Sequence, residues 1–129
     1  MTQTITEELT KLTQDLLWMS EADYPWEVVS CDCSNITPEQ LLEQNNLPSD
    51  TPVETLSIER FFAPALREQS WHNEEERTTR NRYQELFNFL TEQLKDLIVY
   101  RLGEVEIEVY VLGTLEEKTV GLKTTVVET

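Results

Sequence analysis

Residues 104–111 read EVEIEVYV, and residues 120–126 read VGLKTTV. In the first stretch Val105, Ile107, Val109 and Val111 alternate with Glu or Tyr, and the second stretch alternates in the same way. Because successive side chains of a strand point to opposite faces of a sheet, this pattern predicts two half-buried β-strands. The segment 116–118 between them predicts a hairpin.

The residues before this hairpin predict a long amphipathic helix. From Glu74 to Leu97 the apolar residues recur at helical spacing, and three glutamates stand at the start, where the helix dipole favours negative charge. Residues 99–102 are expected to form a further strand ahead of Gly103.

The N-terminal half predicts three shorter helices and two strands. A first helix is expected over 5–18, behind a Thr4/Glu7 capping box. The other helices begin at Thr37-Pro38 and, capped by Ser57, near Ile58, the latter ending near Pro64. The strands are WEVVSC at 26–31 and VETL at 53–56.

This order of elements predicts the α+β class, with helices packed on a mixed or antiparallel sheet. The 129 residues, 39% of them apolar, suit one domain spanning 1–129. Repeats of 20 to 50 residues, which would indicate a solenoid, do not occur.

The charge of the chain excludes several classes of partner. The formal net charge is −15, and residues 1–59 hold 12 acidic residues against Lys11 alone. A phosphate polyanion must be met by positive surface, so we expect no direct binding of nucleic acid or of an anionic membrane. The start of the chain has no basic, apolar leader and no apolar run of about 18 residues follows, which predicts a cytoplasmic protein.

The sequence gives little support for an enzyme or for a bound cofactor. It contains three glycines and lacks the P-loop, G-x-G-x-x-G, H-E-x-x-H and G-x-S-x-G motifs. Cys31, Cys33 and the one histidine, His72, cannot complete a four-ligand zinc site. The row of Glu106 and Glu108 is interpreted as a solvated strand face, with Lys123 as a possible partner.

Three features do not fit this plain interpretation. Residues 19–26 place acids and aromatics in the turn after the first helix, either as a capped turn with Tyr24 and Trp26 in the core or as part of a binding surface. Trp71 lies in a polar loop, where it packs back on the long helix or anchors an interface. The last predicted strand runs almost to Thr129, whereas chain ends usually fray.

At these same residues the sequence resembles the nuclease A inhibitor family. These are small acidic proteins that block a sugar-nonspecific, metal-dependent nuclease of filamentous cyanobacteria. The resemblance is carried by LLWMSEADYPWEV at 16–28 and by VYRLGEVEIEVYVLG at 99–113, with KTTVVET at the chain end. Weaker similarity is found in SIERFFAPA at 57–65 and QSWHNEEE at 69–76.

The resemblance implies a fold and a mechanism. The fold is a three-layer α-β-α sandwich, and the mechanism is a plug in the active site of the nuclease. The matching residues here are Thr129, whose hydroxyl would approach the catalytic divalent metal of the nuclease, expected to be Mg²⁺, and Glu21, which would stand in for the scissile phosphate. The protein itself would then need no cofactor and would be a monomer when unbound.

A second contact in the family uses an Asp-Trp pair in the loop before the long helix. Trp71 matches the tryptophan, but Ser70 replaces the aspartate. This departure leaves open a second hypothesis, an acidic protein-interaction module of the same fold that no longer inhibits a nuclease. A third hypothesis, a metal-binding enzyme or carboxylate hydrolase, requires Glu21, Asp23 and another acid to converge in one pocket.

Overall fold

The computed structural model describes residues 2–14, 16–18, 24–31, 36–66, 74–115 and 117–127. These residues form four helices and seven strands. The helices are α1 (Thr2–Thr13), α2 (Pro38–Gln44), α3 (Ile58–Leu66) and α4 (Glu74–Gln93). The strands are β1 (Leu17–Trp18), β2 (Tyr24–Pro25), β3 (Glu27–Cys31), β4 (Val53–Leu56), β5 (Lys95–Leu102), β6 (Glu106–Leu115) and β7 (Lys118–Val127).

Five of these strands form an antiparallel sheet in the order β3-β7-β6-β5-β4. The predicted hairpin is confirmed: β6 and β7 pair from Glu106 opposite Val127 to Leu115 opposite Lys118. Val109 and Val111 are fully buried, as the alternation predicts, whereas Val105 precedes β6 and is 55% exposed. Strand pairing therefore begins one residue later than the alternation in the sequence indicates.

The two faces of the sheet contribute to separate hydrophobic clusters. Ile107, Val109 and Val111 of β6 belong to the larger cluster, which includes side chains of α1, α3 and α4. Tyr110 and Leu112 belong to the smaller cluster with Leu41 and Leu42 of α2. The prediction of a half-buried strand is therefore wrong for β6: the second face, expected to be solvated, is covered by α2 at Tyr110 and Leu112. Because β6 is buried on both faces, its register is fixed by packing as well as by hydrogen bonds.

The first helix is shorter than predicted. It begins at Thr2 and ends at Thr13, so Thr4 lies inside the helix, and the predicted extension to residue 18 is wrong. Leu17 and Trp18 instead pair with Pro25 and Tyr24 in a small two-stranded sheet. Apolar residues at 16 and 17 fit helical spacing and strand pairing equally well, so the sequence pattern does not distinguish the two.

The long helix also ends earlier than predicted, at Gln93 instead of Leu97. Residues 95–102 pair with β6, through an irregularity between Lys95 and Ile98 and a positive φ of 53° at Asp96. Leu94 and Leu97 both contact the larger cluster. Both residues are apolar because they pack on this cluster, and their spacing continues that of the helix. The sequence pattern therefore extends the predicted helix to Leu97, which belongs to β5.

The helix start at Thr37 is confirmed with its capping box. Gln40 N donates a hydrogen bond to Thr37 Oγ1 at 3.3 Å, and Thr37 N donates to Gln40 Oε1 at 2.9 Å. Ser57 caps α3 through a 3.2 Å bond from Arg60 N to Ser57 Oγ, and α3 continues through Pro64 to Leu66. The strands predicted at 26–31, 53–56 and 99–102 are present as β3, β4 and the C-terminal half of β5.

The α+β class is confirmed by these four helices and the five-stranded antiparallel sheet. The three-layer sandwich stays a prediction, because α2 is seven residues long and packs with one part of its sheet face. In the described part of the chain, no helix combines the length and the apolar character needed to cross a membrane.

We expect Thr37→Ala to lower the free energy of unfolding by about 1 kcal/mol, because the backbone N–H of Gln40 loses its capping acceptor. Thr37→Ser keeps the hydroxyl and serves as the matched control. Urea denaturation of the three proteins measures the difference, and equal midpoints for the alanine and serine variants would contradict the assigned cap.

Candidate functional site

The four residues predicted to form the binding site lie outside the described part of the chain. Glu21 lies in segment 19–23, Ser70 and Trp71 lie in 67–73, and Thr129 lies in 128–129. Asp23, required by the enzyme hypothesis, is also outside the described residues. The described residues on either side of these segments show how the chain leads into them.

Strands β1 and β2 lie on the two sides of segment 19–23. They are antiparallel, with Leu17 opposite Pro25 and Trp18 opposite Tyr24. Trp26, which follows β2, is buried with 6% exposure, and Tyr24 is half-buried. The interpretation of Trp26 as a core residue is therefore confirmed, and the core and the predicted binding segment are neighbours along the chain.

Strand β2 is attached to β7, the strand that leads to Thr129. Thr124 Oγ1 of β7 donates a hydrogen bond to the carbonyl of Pro25 at 3.0 Å, and the Thr124 side chain is buried. Next to this contact, Glu27 of β3 pairs with Lys123 of β7. Because β3 and β7 are antiparallel, following the chain backward from Glu27 leads in the same direction as following β7 toward its end at Val127.

Trp26 is held from the other side by α4. Its indole Nε1 donates a hydrogen bond to the hydroxyl of Tyr83 at 3.1 Å. Its ring meets Phe61 edge-on at 6.3 Å and stacks with Phe62 at 6.2 Å between centroids. Burial raises the pKa of Tyr83 to about 12, although the Trp26 hydrogen bond and the charge of Arg82 act in the opposite direction.

Arg82, next to Tyr83 on α4, binds the end of α1. Its Nη2 donates to the carbonyl of Leu12 at 3.3 Å and also to the carbonyl of Gln14. The last carbonyls of a helix have no partner inside the helix, so a guanidinium at this position can take that role as donor. Its positive charge also interacts favourably with the negative C-terminal end of the helix dipole. This contact ties the end of α1 to α4.

On the face of β6 and β7 that carries the smaller cluster, several polar side chains bond to one another. Lys123 Nζ lies 3.8 Å from Glu108 Oε2 and 3.3 Å from Asn45 Oδ1, while Asn45 Nδ2 donates to the Tyr110 hydroxyl at 2.9 Å. The predicted pairing of Glu108 with Lys123 is thus present. A cavity of about 250 Å³ lies beside this network, and these groups in its wall already bond to one another.

The described residues hold no group of three or more His, Cys, Asp or Glu side chains that could bind a metal ion. Three residues that position the flanks of the predicted site were not identified from the sequence: Arg82, Tyr83 and Thr124. Tyr83 was recognised as part of the apolar face of the helix, but its hydroxyl contact is invisible to periodicity. A threonine on the buried face of β7 was the one available signal for Thr124.

Comparison with known protein families gives a match that covers nearly the whole chain. The model of the family described as nuclease A inhibitor-like protein matches residues 3–129. The resemblance inferred from the sequence blocks is therefore confirmed over nearly the whole chain. A search of curated proteins gave no match.

The Trp26–Tyr83 contact predicts how stability depends on alkaline pH. The folded state raises the pKa of Tyr83 from 10.0 to about 12, so the stability from its neutral hydroxyl is fully present below pH 10.0 and is lost as pH rises toward 12. Over that range we expect the free energy of unfolding of the wild type to fall by about 1.4 kcal/mol per pH unit more steeply than that of Tyr83→Phe.

The phenylalanine variant is the control, because it keeps the ring and removes the titrating group. Below pH 10.0 it should be about 1 to 2 kcal/mol less stable than the wild type, since Trp26 Nε1 loses its hydroxyl acceptor. Urea denaturation at a series of pH values measures both effects. Parallel stability curves for the two proteins above pH 10.0 would show that Tyr83 does not titrate as described.

Proposed function

Since the chain belongs to the nuclease A inhibitor-like protein family, we propose that it inhibits a metal-dependent, sugar-nonspecific DNA and RNA endonuclease by plugging the active site. The family match over residues 3–129 is the single observation that carries this proposal, and membership supports a role as a nuclease inhibitor. The protein acts as a binding partner of the nuclease and catalyses no reaction.

The charge of the chain supports an active-site plug. A cleft that binds nucleic acid is positively charged, and this chain has a formal net charge of −15. Complementary charge accelerates association and makes its rate sensitive to salt. The same charge disfavours direct contact with nucleic acid or anionic membrane, and we propose a cytoplasmic protein that is a monomer when unbound.

Glu21 and Thr129 are proposed to act together, and the described register supports this pairing. Glu27 pairs with Lys123, and Pro25 accepts a hydrogen bond from Thr124. Because β3 and β7 are antiparallel, the chain before Glu27 and the chain after Lys123 run toward the same end of the sheet. Thr129 is the second residue after Val127, the last residue of β7, so two residues of chain, about 7 Å when extended, separate them.

The chemistry of the two residues suits the proposed target. Mg²⁺ prefers hard oxygen ligands and keeps exchangeable positions in catalytic sites. Thr129 offers a hydroxyl oxygen to the metal of the partner nuclease. Glu21 offers a carboxylate that resembles the phosphate of the substrate in charge and in its acceptor oxygens.

Trp71 is proposed as an additional anchor in the loop before α4, because a tryptophan that is desolvated at an interface contributes strongly to affinity. Ser70 beside it lacks the charge that the aspartate of the family pattern supplies. Losing one charged partner costs about 2 to 5 kcal/mol where the opposite charge is left buried, and little at a solvated rim. The cognate nuclease of this chain therefore differs at that contact, or binds less tightly.

Ser70 is also the observation that favours the second candidate function, an acidic interaction module that has lost its nuclease target. Capture of partners from the cells that produce the protein separates the two candidates. A nuclease should dominate the bound fraction for an inhibitor and be absent for the alternative module. Calorimetry with Mg²⁺ and the isolated protein tests the enzyme hypothesis, which requires a metal site of its own.

We expect the protein in excess to abolish DNA cleavage by a magnesium-dependent, sugar-nonspecific nuclease. A chain extended by a few residues beyond Thr129 should inhibit at least about a hundredfold less well, because the added peptide displaces the Thr129 hydroxyl from the metal. An extension at Met1 is the matched control. Undiminished cleavage with excess wild-type protein contradicts inhibition itself, whereas equal inhibition by both extended chains contradicts only the metal-directed terminus.

Glu21→Gln should weaken inhibition by about tenfold to a hundredfold, because the phosphate-mimicking charge is removed while the shape is kept. Glu117→Gln makes the same change of charge at the turn between β6 and β7, at the opposite end of β7 from Val127. Inhibition constants at fixed ionic strength measure both. Equal small losses for the two variants would mean that Glu21 contributes only to the net charge.

A further inference from the structure

We propose that Arg82 is a positioning residue of the inhibitor, acting with Tyr83 to fix the two flanks of segment 19–23. This inference rests on the proposed function, because its consequence for binding passes through Glu21. Arg82 itself is not proposed to contact the nuclease. Its evidence is a pair of long-range contacts made by two consecutive residues of α4.

Arg82 fixes the flank that precedes the segment. Its guanidinium binds the carbonyls of Leu12 and Gln14, at the end of α1 and just before β1. An arginine can satisfy two acceptors at once because its donors lie in a rigid plane. Arg82 is half-buried; its bond to the Leu12 carbonyl is partly buried and its bond to the Gln14 carbonyl is exposed.

Tyr83 fixes the flank that follows the segment. Its hydroxyl accepts the indole N–H of Trp26, which comes directly after β2. Both rings are buried, with 3% exposure for Tyr83 and 6% for Trp26. Thr124 adds a third bond on this side through the carbonyl of Pro25. The flank is therefore bound to α4 and to β7 at the same time.

The Arg82 and Tyr83 contacts act on opposite sides of the β1–β2 pair, so both are needed to fix its geometry. Neighbouring residues of a helix point about 100° apart, so Arg82 and Tyr83 reach two different elements from one place on the helix. Strands β1 and β2 are only two residues long, and a pair of such strands is barely stable by itself. Their geometry therefore depends on what holds their outer ends.

Holding a binding segment in one geometry before association reduces the entropy lost on binding. Loss of the Arg82 contacts should therefore raise the inhibition constant. The corresponding loss of binding free energy should exceed the loss in free energy of unfolding. The effect should depend on Glu21, because Glu21 is the residue between the two flanks that is proposed to contact the nuclease. This dependence distinguishes positioning from a general contribution to folding.

The test is a double-mutant cycle on the full chain, with Arg82→Ala, Glu21→Gln and the double variant. Arg82→Ala should weaken inhibition about tenfold in the wild-type background and hardly at all in the Glu21→Gln background. Arg60→Ala, which removes the same charge from an exposed position on α3, is the matched control and should leave inhibition unchanged. Equal losses from Arg82→Ala in both backgrounds would overturn the proposal.

A second readout needs no nuclease. Amide hydrogen exchange of the unbound protein should become faster at Leu17, Trp18 and Tyr24 in Arg82→Ala and stay unchanged at Val99 and Val111 of the central strands. Arg82→Lys keeps the charge but has a single donor nitrogen. It replaces the alanine variant in this measurement if that variant does not fold. It should show an intermediate rate of exchange.

These measurements separate the two hypotheses. If the wild type does not inhibit the nuclease, the proposed function fails, and the exchange rates still decide whether Arg82 holds the flanks. If the wild type inhibits, but Arg82→Ala inhibits equally well and exchanges at wild-type rates, the positioning role is wrong and the inhibitor function stands.

Discussion

The pairing of β6 with β7 is the constraint on which the rest of the structure depends. These two strands occupy the middle of the five-stranded sheet, and each has a neighbour on its outer side, β5 for β6 and β3 for β7. Val109 and Val111 face the larger cluster, while Tyr110 and Leu112 face the smaller one. A shift of one residue would exchange these two sets, so apolar burial on both faces fixes a single register.

The sheet also determines the direction in which the chain approaches the predicted binding segments. The antiparallel pairing of β3 with β7 directs the chain before β3 and the chain after β7 toward the same end of the sheet. The hydrogen bond from Thr124 to Pro25 fastens β2 there, and Trp26 joins this region to the aromatic cluster with Phe62. Strand β2 and the C-terminal part of β7 are therefore joined directly, while the positions of Glu21 and Thr129 stay predictions.

Local patterns accounted for most of the elements, and they failed at specific ends. The capping box of Thr37 and Gln40, and the alternation of β6 and β7, involve neighbours in sequence and could be predicted. The ends of α1 and α4 could not, because apolar residues there continue the helical spacing while pairing as strands in β1 and β5. The choice was made by partners far away in the chain, which a local pattern does not contain.

For the candidate site, the sequence by itself determined the family, the acidic charge and the residues Glu21, Ser70, Trp71 and Thr129 that match its pattern, because each is read from residue identity. Their positions remain predictions. The tertiary structure alone decided what holds the flanks: Arg82 on the carbonyls of α1, Tyr83 on Trp26 and Thr124 on Pro25. Each of these bonds joins residues more than 50 positions apart, so only the folded chain brings donor and acceptor together.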